Sequence, residues 1–300
     1  MSGLTAKANE DRVMSGILLM LGAYLFFAFV DVSAKWLAIA GLSALQLSFM
    51  RYLGHFLISL FLIGKGGFSF NRFSSERMVL VVLRAALLMA STILNFSAVA
   101  YLPLTLTSTI LFSTPIIICA LSWPLLGERV GFWRWSAIMI GFVGILIAIR
   151  PFDSSFHWAV TLSLSAAFCF ALYSILTRKL AGVVAVDTLQ FYSGFVGTVA
   201  LLPFAIFTWQ TPTNGLDWTI MLVIGVFGWL GHQLLTNAHR FAPASTLTPF
   251  GYTFILYLAV ASFLIFDHLP DRWTLIGGAI IIVAGLLIWF REKQLSPTAN

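Results

Sequence analysis

Ten long apolar stretches, separated by short polar segments, make up almost the whole chain. Each stretch contains about 17 to 25 mostly apolar residues, which is the length that an α-helix needs to cross a hydrocarbon layer of ~30 Å. The predicted spans are 14–38, 43–63, 78–100, 104–126, 134–150, 157–178, 187–208, 217–237, 245–266 and 273–290. The pattern therefore predicts an all-α, polytopic membrane protein with ten transmembrane helices.

The second half of the chain repeats landmarks of the first half. The repeated positions are 140 residues apart: Tyr101, Pro103, Glu128 and Trp133 correspond to Phe241, Pro243, His268 and Trp273. Because each half contains an odd number of spans, tandem halves cross the membrane in opposite directions. We therefore predict two inverted five-helix repeats, residues 1–150 and 151–300, with no separate soluble domain.

Composition and charge fit a membrane protein and argue against a nucleic-acid partner. Hydrophobic residues make up 60% of the chain, charged residues make up 9%, and the mean hydropathy is +0.96. The formal charge of +6 is distributed along the ends of the spans and does not form one basic stripe. Lys35, Arg51 and Arg84 lie within spans. With a cytoplasmic N-terminus, all other Lys and Arg residues lie on the cytoplasmic side except Arg150 and Arg272. Both termini are therefore predicted to be cytoplasmic in a bacterial inner membrane.

The sequence favours a secondary carrier over an enzyme. It contains no His-Glu-x-x-His or Gly-x-Ser-x-Gly motif and no nucleotide-binding Gly-x-x-x-x-Gly-Lys-Ser/Thr loop. Cys119 and Cys169 lie in separate spans, so neither a disulfide framework nor a Cys-rich metal site is indicated. We expect no catalytic residue, metal or cofactor. A receptor or structural role would leave the repeat unexplained.

Charged side chains inside the spans are candidates for function, because they are costly in hydrocarbon and usually face protein or water. Asp31 is followed one turn later by Lys35, in the acid-before-base order that favours an ion pair. This pair either neutralises itself, binds a zwitterion, or lets Asp31 exchange a proton. Arg51 and His55 are also one turn apart, and a packed structural pair is slightly favoured. Alternatively, Arg51 binds a substrate carboxylate or pairs with Asp31, and His55 titrates near neutral pH.

Polar residues on the third span share one helical face. Arg84, Ser91 and Asn95 follow the helical period. Arg84 is near enough to the inner end of the span to extend its charge to the interface. Asn95 is therefore the predicted substrate ligand of this span.

The eighth span carries the longest polar stripe. Its members follow an i, i+3, i+4, i+7, i+8, i+11 pattern: Trp229, His232, Gln233, Thr236, Asn237 and Arg240. A polar stripe within lipid must face protein or water. It is either buried hydrogen-bonded packing or a cavity wall, and the many donors beside an aromatic ring favour the wall.

Two further features concern aromatic residues and proline. Tyr173 and Tyr252 lie deep in their spans, where they either pack in the core or shape a pocket for a flat or apolar side chain. Pro115 lies in the middle of the fourth span, where it removes a helical hydrogen bond. We predict a kink there, as a hinge or as a fixed bend.

Several short motifs occur in a fixed order along the chain. They are Pro115, Leu126-Gly127-Glu128, Trp133 and Gly141 to Gly144 in the first half, and residues 248–252, 266–271 and 277–285 in the second. In these motifs the chain resembles the ten-helix, EamA-type members of the drug/metabolite transporter superfamily over nearly its whole length. Asp267-His268 stands where the family usually has a second Gly-Glu. The resemblance implies a secondary carrier whose central cavity, between the two halves, opens alternately to each side.

We predict an exporter of amino acids, with neutral and aromatic ones favoured, because members that look similar export amino acids or move flavins and S-adenosylmethionine. Another small metabolite such as a flavin or S-adenosylmethionine is the alternative, and a membrane receptor is the non-carrier alternative. The predicted partners are a small-molecule substrate and the lipid bilayer, and a monomer is compatible with this prediction. The predicted substrate ligands are Asn95, Tyr173, Trp229, His232, Gln233, Asn237 and Tyr252. The predicted ion-pair or proton-coupling residues are Asp31, Lys35, Arg51 and His55, and the predicted hinge is Pro115.

Overall fold

The computed structural model describes residues 2–65, 76–126, 132–153, 156–180, 183–241 and 247–295, and these residues contain helices but no strand. The helices are α1 (Ser2–Ile39), α2 (Ala44–Lys65), α3 (Met78–Tyr101), α4 (Leu104–Leu111), α5 (Thr114–Leu126), α6 (Phe132–Ile149), α7 (Val160–Leu180), α8 (Val186–Phe207), α9 (Gly215–Phe241), α10 (Thr253–Phe266) and α11 (Arg272–Leu295), with a 3₁₀ helix at Thr248–Tyr252. The all-α prediction is confirmed for this part of the chain. Glu128 and Pro243, two landmarks of the predicted repeat, lie outside the described residues.

Most of the helices are apolar enough to lie in a membrane. Six of them have the length and composition of membrane spans: Val13–Ile39, Ala44–Gly64, Met78–Tyr101, Val160–Thr177, Val186–Phe207 and Gly215–Ala238. Shorter apolar helices occupy the other predicted spans, at Leu104–Ile118, Trp135–Ile149, Phe250–Phe266 and Arg272–Leu287. Large apolar side chains such as Phe207, which is 88% exposed, face outward. A polytopic membrane protein follows, and the ten crossings remain a prediction.

The fourth predicted span is broken rather than continuous. α4 ends at Leu111, and α5 begins at Thr114 with Pro115 in its first turn. A proline has no N–H to donate to the carbonyl four residues earlier, and here the Thr114 hydroxyl donates to that carbonyl, Leu111 O, over 2.6 Å. The Ser113 hydroxyl donates to Ile110 O in the same way. The Thr114 bond satisfies the carbonyl that Pro115 cannot, whereas Ile110 O also accepts the Ser113 backbone N–H over 3.0 Å.

The helices pack in pairs that join the two halves of the chain. α1 packs against α9, α2 against α8, α3 against α7, α4 against α10 and α6 against α11. Small residues permit the closest approaches. A Cβ on Gly54 of α2 would lie 2.9 Å from the Gly225 Cα of α9, and a Cβ on Gly144 of α6 would lie 3.0 Å from Gly277 O of α11. The bundle is therefore held by close contacts between backbones.

Candidate functional site

A cavity of about 770 Å³ lies within the bundle, and side chains from both halves line it. Seven of the sequence-predicted residues are part of its wall: Asp31, Arg51, Asn95, Pro115, Tyr173, His232 and Tyr252. The other predicted residues are not part of the wall: Lys35, His55, Trp229, Gln233 and Asn237. The structure thus brings residues of α1, α2, α3, α5, α7 and α9 together around one space.

Asp31 is oriented by α3 and not by its predicted partner Lys35. The amide Nδ2 of Asn95 donates to Asp31 Oδ1 over 3.1 Å, and both side chains are buried. Lys35 instead donates from Nζ to Leu102 O, at the C-terminal end of α3, over 3.1 Å. The last carbonyls of a helix have no intrahelical donor, and the long lysine side chain reaches one of them. The predicted Asp31–Lys35 ion pair is therefore wrong.

Arg51 is buried with a set of neutral partners. Its guanidinium donates to Thr92 Oγ1 over 2.5 Å and to Tyr52 Oη over 3.3 Å, and it lies 3.5 Å from His232 Nε2. Only 8% of Arg51 is exposed, and its Nε has no hydrogen-bond partner among the described residues. The predicted pairing with His55 is not found.

His55 does not line the cavity. It is buried and hydrogen-bonds with Gln190 of α8, and its ring centroid is 5.9 Å from that of His232. His232 is thus the member of this histidine pair that reaches the cavity. The sequence prediction named both residues but could not rank them, because their helices cross only in the folded bundle.

Arg84 contradicts the expectation that it extends to the membrane interface. It is 4% exposed and lines the cavity. Its Nε donates to Thr177 Oγ1 over 2.7 Å, its Nη1 to Ser193 Oγ over 3.0 Å, and its Nη2 to Tyr173 Oη over 2.8 Å. The guanidinium carbon also lies 4.5 Å from the centre of the Tyr173 ring. Hydroxyls one turn apart on α7, at 173 and 177, were the signal in the sequence for this buried site.

Aromatic rings line another part of the cavity, beside the interrupted helices. The ring centroid of Phe112 is 5.1 Å from that of Tyr252 and 5.9 Å from that of Phe254, and Tyr24 is 6.0 Å from Phe254. Edge and tilted arrangements at these distances are favourable between rings. Sequence reasoning missed Phe112 and Phe254, because a phenylalanine in a cavity wall and one facing lipid look alike in an apolar span.

Only one edge of the polar stripe on α9 reaches the cavity. His232 and Thr236 line it, whereas Trp229, Gln233 and Asn237 do not. Consecutive helical residues point about 100° apart, so Gln233 lies well around the helix from His232. Asn237 donates back to Gln233 O over 3.0 Å, within its own helix. The described residues include no group of three His, Cys, Asp or Glu side chains that could hold a metal ion.

Comparison with known proteins gives a consistent set of relatives. The chain matches the EamA-like transporter family twice, at residues 14–150 and 157–290. It is 28% identical to an S-adenosylmethionine uptake transporter of Rickettsia felis, over 88% of each chain. It is 28% identical to a riboflavin transporter of Vibrio cholerae, over 95% of this chain and 97% of that protein. It is also 27% identical to a pseudopaline exporter of Pseudomonas aeruginosa, over 94% and 99%.

Solved structures with a similar fold include one crystal structure. It superposes with a TM-score of 0.65 at 14% sequence identity, and the match covers 94% of this chain and 99% of that one. At this identity the similarity describes the arrangement of the helices. It adds no information about the transported molecule.

Proposed function

The chain belongs to the EamA-like transporter family, and on this premise we propose that it exchanges an amino-acid-like metabolite between the two sides of a bacterial membrane. It is a membrane transporter of the drug/metabolite transporter superfamily. The proposed solute carries an α-ammonium group, an α-carboxylate and an aromatic or apolar part. Neutral and aromatic amino acids, moved outward, are the first candidates.

The observation that carries this proposal is the presence of opposite charges in one cavity. Asp31 and Arg51 both line it, and neither has an ion-pair partner within 4.0 Å among the described residues. Buried charges are costly unless an opposite charge compensates them. A zwitterionic solute supplies both compensating charges: its ammonium group binds at Asp31 and Asn95, and its carboxylate binds at Arg51.

The aromatic rings favour a solute with a flat or apolar part. Tyr24, Phe112, Tyr252 and Phe254 offer ring faces and edges in the same cavity. A phenyl or indole side chain would gain ~0.5 to 1.5 kcal/mol per favourable ring pair beyond its burial. These rings are therefore the proposed side-chain pocket.

S-adenosylmethionine is the second candidate, and a specific observation favours it. It combines an α-amino acid group with a flat adenine ring, and it is the solute in the name of the Rickettsia felis relative. Riboflavin, in the name of the Vibrio cholerae relative, has neither an ammonium group nor a carboxylate. It could form an ion pair with neither Asp31 nor Arg51, so we rank it lower.

The contacts between helices support two inverted repeats, residues 1–150 and 151–300, that move relative to each other. In two such repeats α1 corresponds to α7 and α3 corresponds to α9. Exchanging the halves therefore converts the contact of α1 with α9 into the contact of α7 with α3. The same exchange leaves the contacts α2–α8, α4–α10 and α6–α11 unchanged. Such symmetry permits the cavity to open alternately to the two sides. The breaks at Pro115 and at Thr248–Tyr252 are the proposed hinges.

Counterflow in vesicles that contain only this protein tests the proposal. Vesicles are loaded in turn with unlabelled phenylalanine, threonine, S-adenosylmethionine or riboflavin, and the entry of the same labelled solute is measured. We expect exchange of phenylalanine or S-adenosylmethionine and none of riboflavin. Exchange of riboflavin alone, or of no solute, would overturn the proposal.

A further inference from the structure

Arg84 brings a second guanidinium group into the cavity, from a different helix than Arg51. Arg51 binds Thr92 of α3, and Arg84 lies eight residues before Thr92 on the same helix. At a rise of 1.5 Å per residue, the two positions on α3 are about 12 Å apart along the helix axis. The two arginines also share no hydrogen-bond partner among the described residues, so an α-amino acid group bound at Asp31 and Arg51 leaves Arg84 unoccupied.

The charge of Arg84 lacks an opposite charge nearby. No carboxylate among the described residues lies within 4.0 Å of it, and its partners are the hydroxyls of Thr177, Ser193 and Tyr173 and the carbonyl of Leu189. Neutral acceptors orient a guanidinium group but do not neutralise it. A buried cation with neutral partners favours an anion that enters from the cavity.

Arg84 also keeps a donor for such an anion. A guanidinium has five N–H donors, and the four hydrogen bonds to described acceptors leave one N–H on Nη2. The same nitrogen donates to Tyr173 Oη, and the Tyr173 hydroxyl can donate its own proton onward. Both groups line the cavity. Charge-assisted donors arranged in this way suit a carboxylate or phosphate oxygen.

We propose that Arg84 and Tyr173 form a second oxyanion site, which binds a carboxylate or phosphate at the far end of an extended amino-acid-like solute. This inference rests on the proposed function, which assigns the α-amino acid group to Asp31 and Arg51. Phenylalanine occupies only the first site, whereas a solute long enough to span the cavity occupies both. A solute with a second anionic group at its far end is therefore expected to bind more tightly than a single neutral amino acid.

Binding of matched acid and amide ligands to the purified protein in nanodiscs tests the site. The long pair is γ-glutamylglycylglycine and its C-terminal amide, which differ only in the distal charge. The short pair is glutamate and glutamine, whose second group does not reach Arg84. We expect the long acid to bind at least tenfold more tightly than its amide in the native protein. This acid-to-amide affinity ratio falls to about one in Arg84→Gln and is partly retained in Arg84→Lys. The ratio of glutamate affinity to glutamine affinity stays the same in all three proteins.

Phenylalanine affinity separates a binding role of Arg84 from a structural one. The affinity for phenylalanine stays unchanged in Arg84→Gln if Arg84 acts only at the second oxyanion site. An equal loss of phenylalanine and long-acid affinity, or an unchanged acid-to-amide ratio in Arg84→Gln, overturns the inference. Glutarylglycylglycine, which lacks the ammonium group, separates the two proposals: Arg84-dependent binding of it without any phenylalanine binding would overturn the proposed function and keep the second oxyanion site. A phosphate monoester of similar length then distinguishes the two oxyanions.

Discussion

Tyr252 borders the cavity at a point where α11 leaves space for its ring. A Cβ on Gly285 would overlap the Tyr252 hydroxyl, so any larger residue there must displace the ring. We predict that Gly285→Ala raises the KM for an aromatic solute several-fold, because it moves one wall of the side-chain pocket. Uptake kinetics in vesicles measure this change. Gly278→Ala on the same helix is the control, since its Cβ would lie 3.4 Å from Thr109 Oγ1, an ordinary contact. An equal KM in the two variants would show that Tyr252 does not shape the pocket.

At the scale of single residues, the cost of polarity in lipid identified much of the cavity wall. Asp31, Asn95 and His232 were predicted on that ground, and all three line the cavity. The same reasoning failed for Lys35 and Arg84, whose acceptors come from elements distant in sequence. Spacing along one helix predicts which groups share a face. It does not predict which long side chain finds a partner on another helix.

At the scale of elements, the crossing of α2 and α9 depends on two glycines. A Cβ on Gly54 would lie 2.9 Å from Gly225 Cα, which is backbone and cannot move aside alone. We predict that Gly54→Ala destabilises the folded protein by about 1–3 kcal/mol, the usual cost of overpacking. Thermal unfolding in detergent measures it. Gly64→Ala, on the same helix with nothing within 4 Å of the added Cβ, provides the control. A similar midpoint for both variants would contradict the tight crossing.

Asp271 begins α11 as its N-terminal cap. Its Oδ1 accepts hydrogen bonds from Trp273 N over 2.8 Å and from Thr274 N over 3.0 Å. We predict that Asp271→Ala costs about 0.5–2 kcal/mol, whereas Asp271→Asn, which also caps, costs much less. Arg150→Gln changes stability little, because the Arg150–Asp271 distance is 3.7 Å and both side chains are partly exposed. Thermal unfolding of the three variants checks this order. Equal losses in Asp271→Asn and Asp271→Ala would assign the effect to charge and not to capping.

The hydrogen bonds of the Asp271 cap also determine how its contribution to the stability of the folded protein depends on pH. Partial burial alone would raise the pKa of Asp271, but hydrogen bonds from Thr274 and Trp273 and the nearby charge of Arg150 outweigh it and lower the pKa below its ordinary value of 3.8. A carboxylate whose pKa is lower in the folded protein stabilises the folded state fully at pH values above its pKa in the unfolded chain. This stabilisation is lost as the pH falls through the pKa that the group has in the folded protein. The difference between native protein and Asp271→Ala should therefore be constant near neutral pH and shrink below about pH 4.

The interrupted helices mark the limit of prediction from a local pattern. Pro115 predicted a disturbance in the fourth span, and the structure has a complete break between Leu111 and Thr114. The apolar run continues through this break, so hydropathy alone could not locate it. Pro115 has no N–H for the Leu111 carbonyl, and the Thr114 hydroxyl bonds to that carbonyl instead.

At the scale of the whole molecule, composition and periodicity predicted an all-α membrane transporter, and the family match confirms that assignment. The spacing of landmarks predicted two corresponding halves, and this division stays a prediction. The identity of the solute depends on how charges from different helices combine. Asp31, Arg51 and Arg84 come from three helices, and their common cavity appears only in the folded bundle.

Binding of a zwitterion between Asp31 and Arg51 is tested by removing each charge of the solute and the matching charge of the protein, singly and together. Competition for phenylalanine uptake is measured with phenylalanine methyl ester, which lacks the carboxylate, and with 3-phenylpropionate, which lacks the ammonium group. A hydrogen bond to a charged group contributes about 1.5–3 kcal/mol, so each change should weaken binding to the native protein about tenfold or more. We expect the ester and phenylalanine to bind equally to Arg51→Gln, and 3-phenylpropionate and phenylalanine to bind equally to Asp31→Asn. Penalties for the ester and for 3-phenylpropionate that are the same in native protein and in both variants would contradict binding of a zwitterion between these two residues.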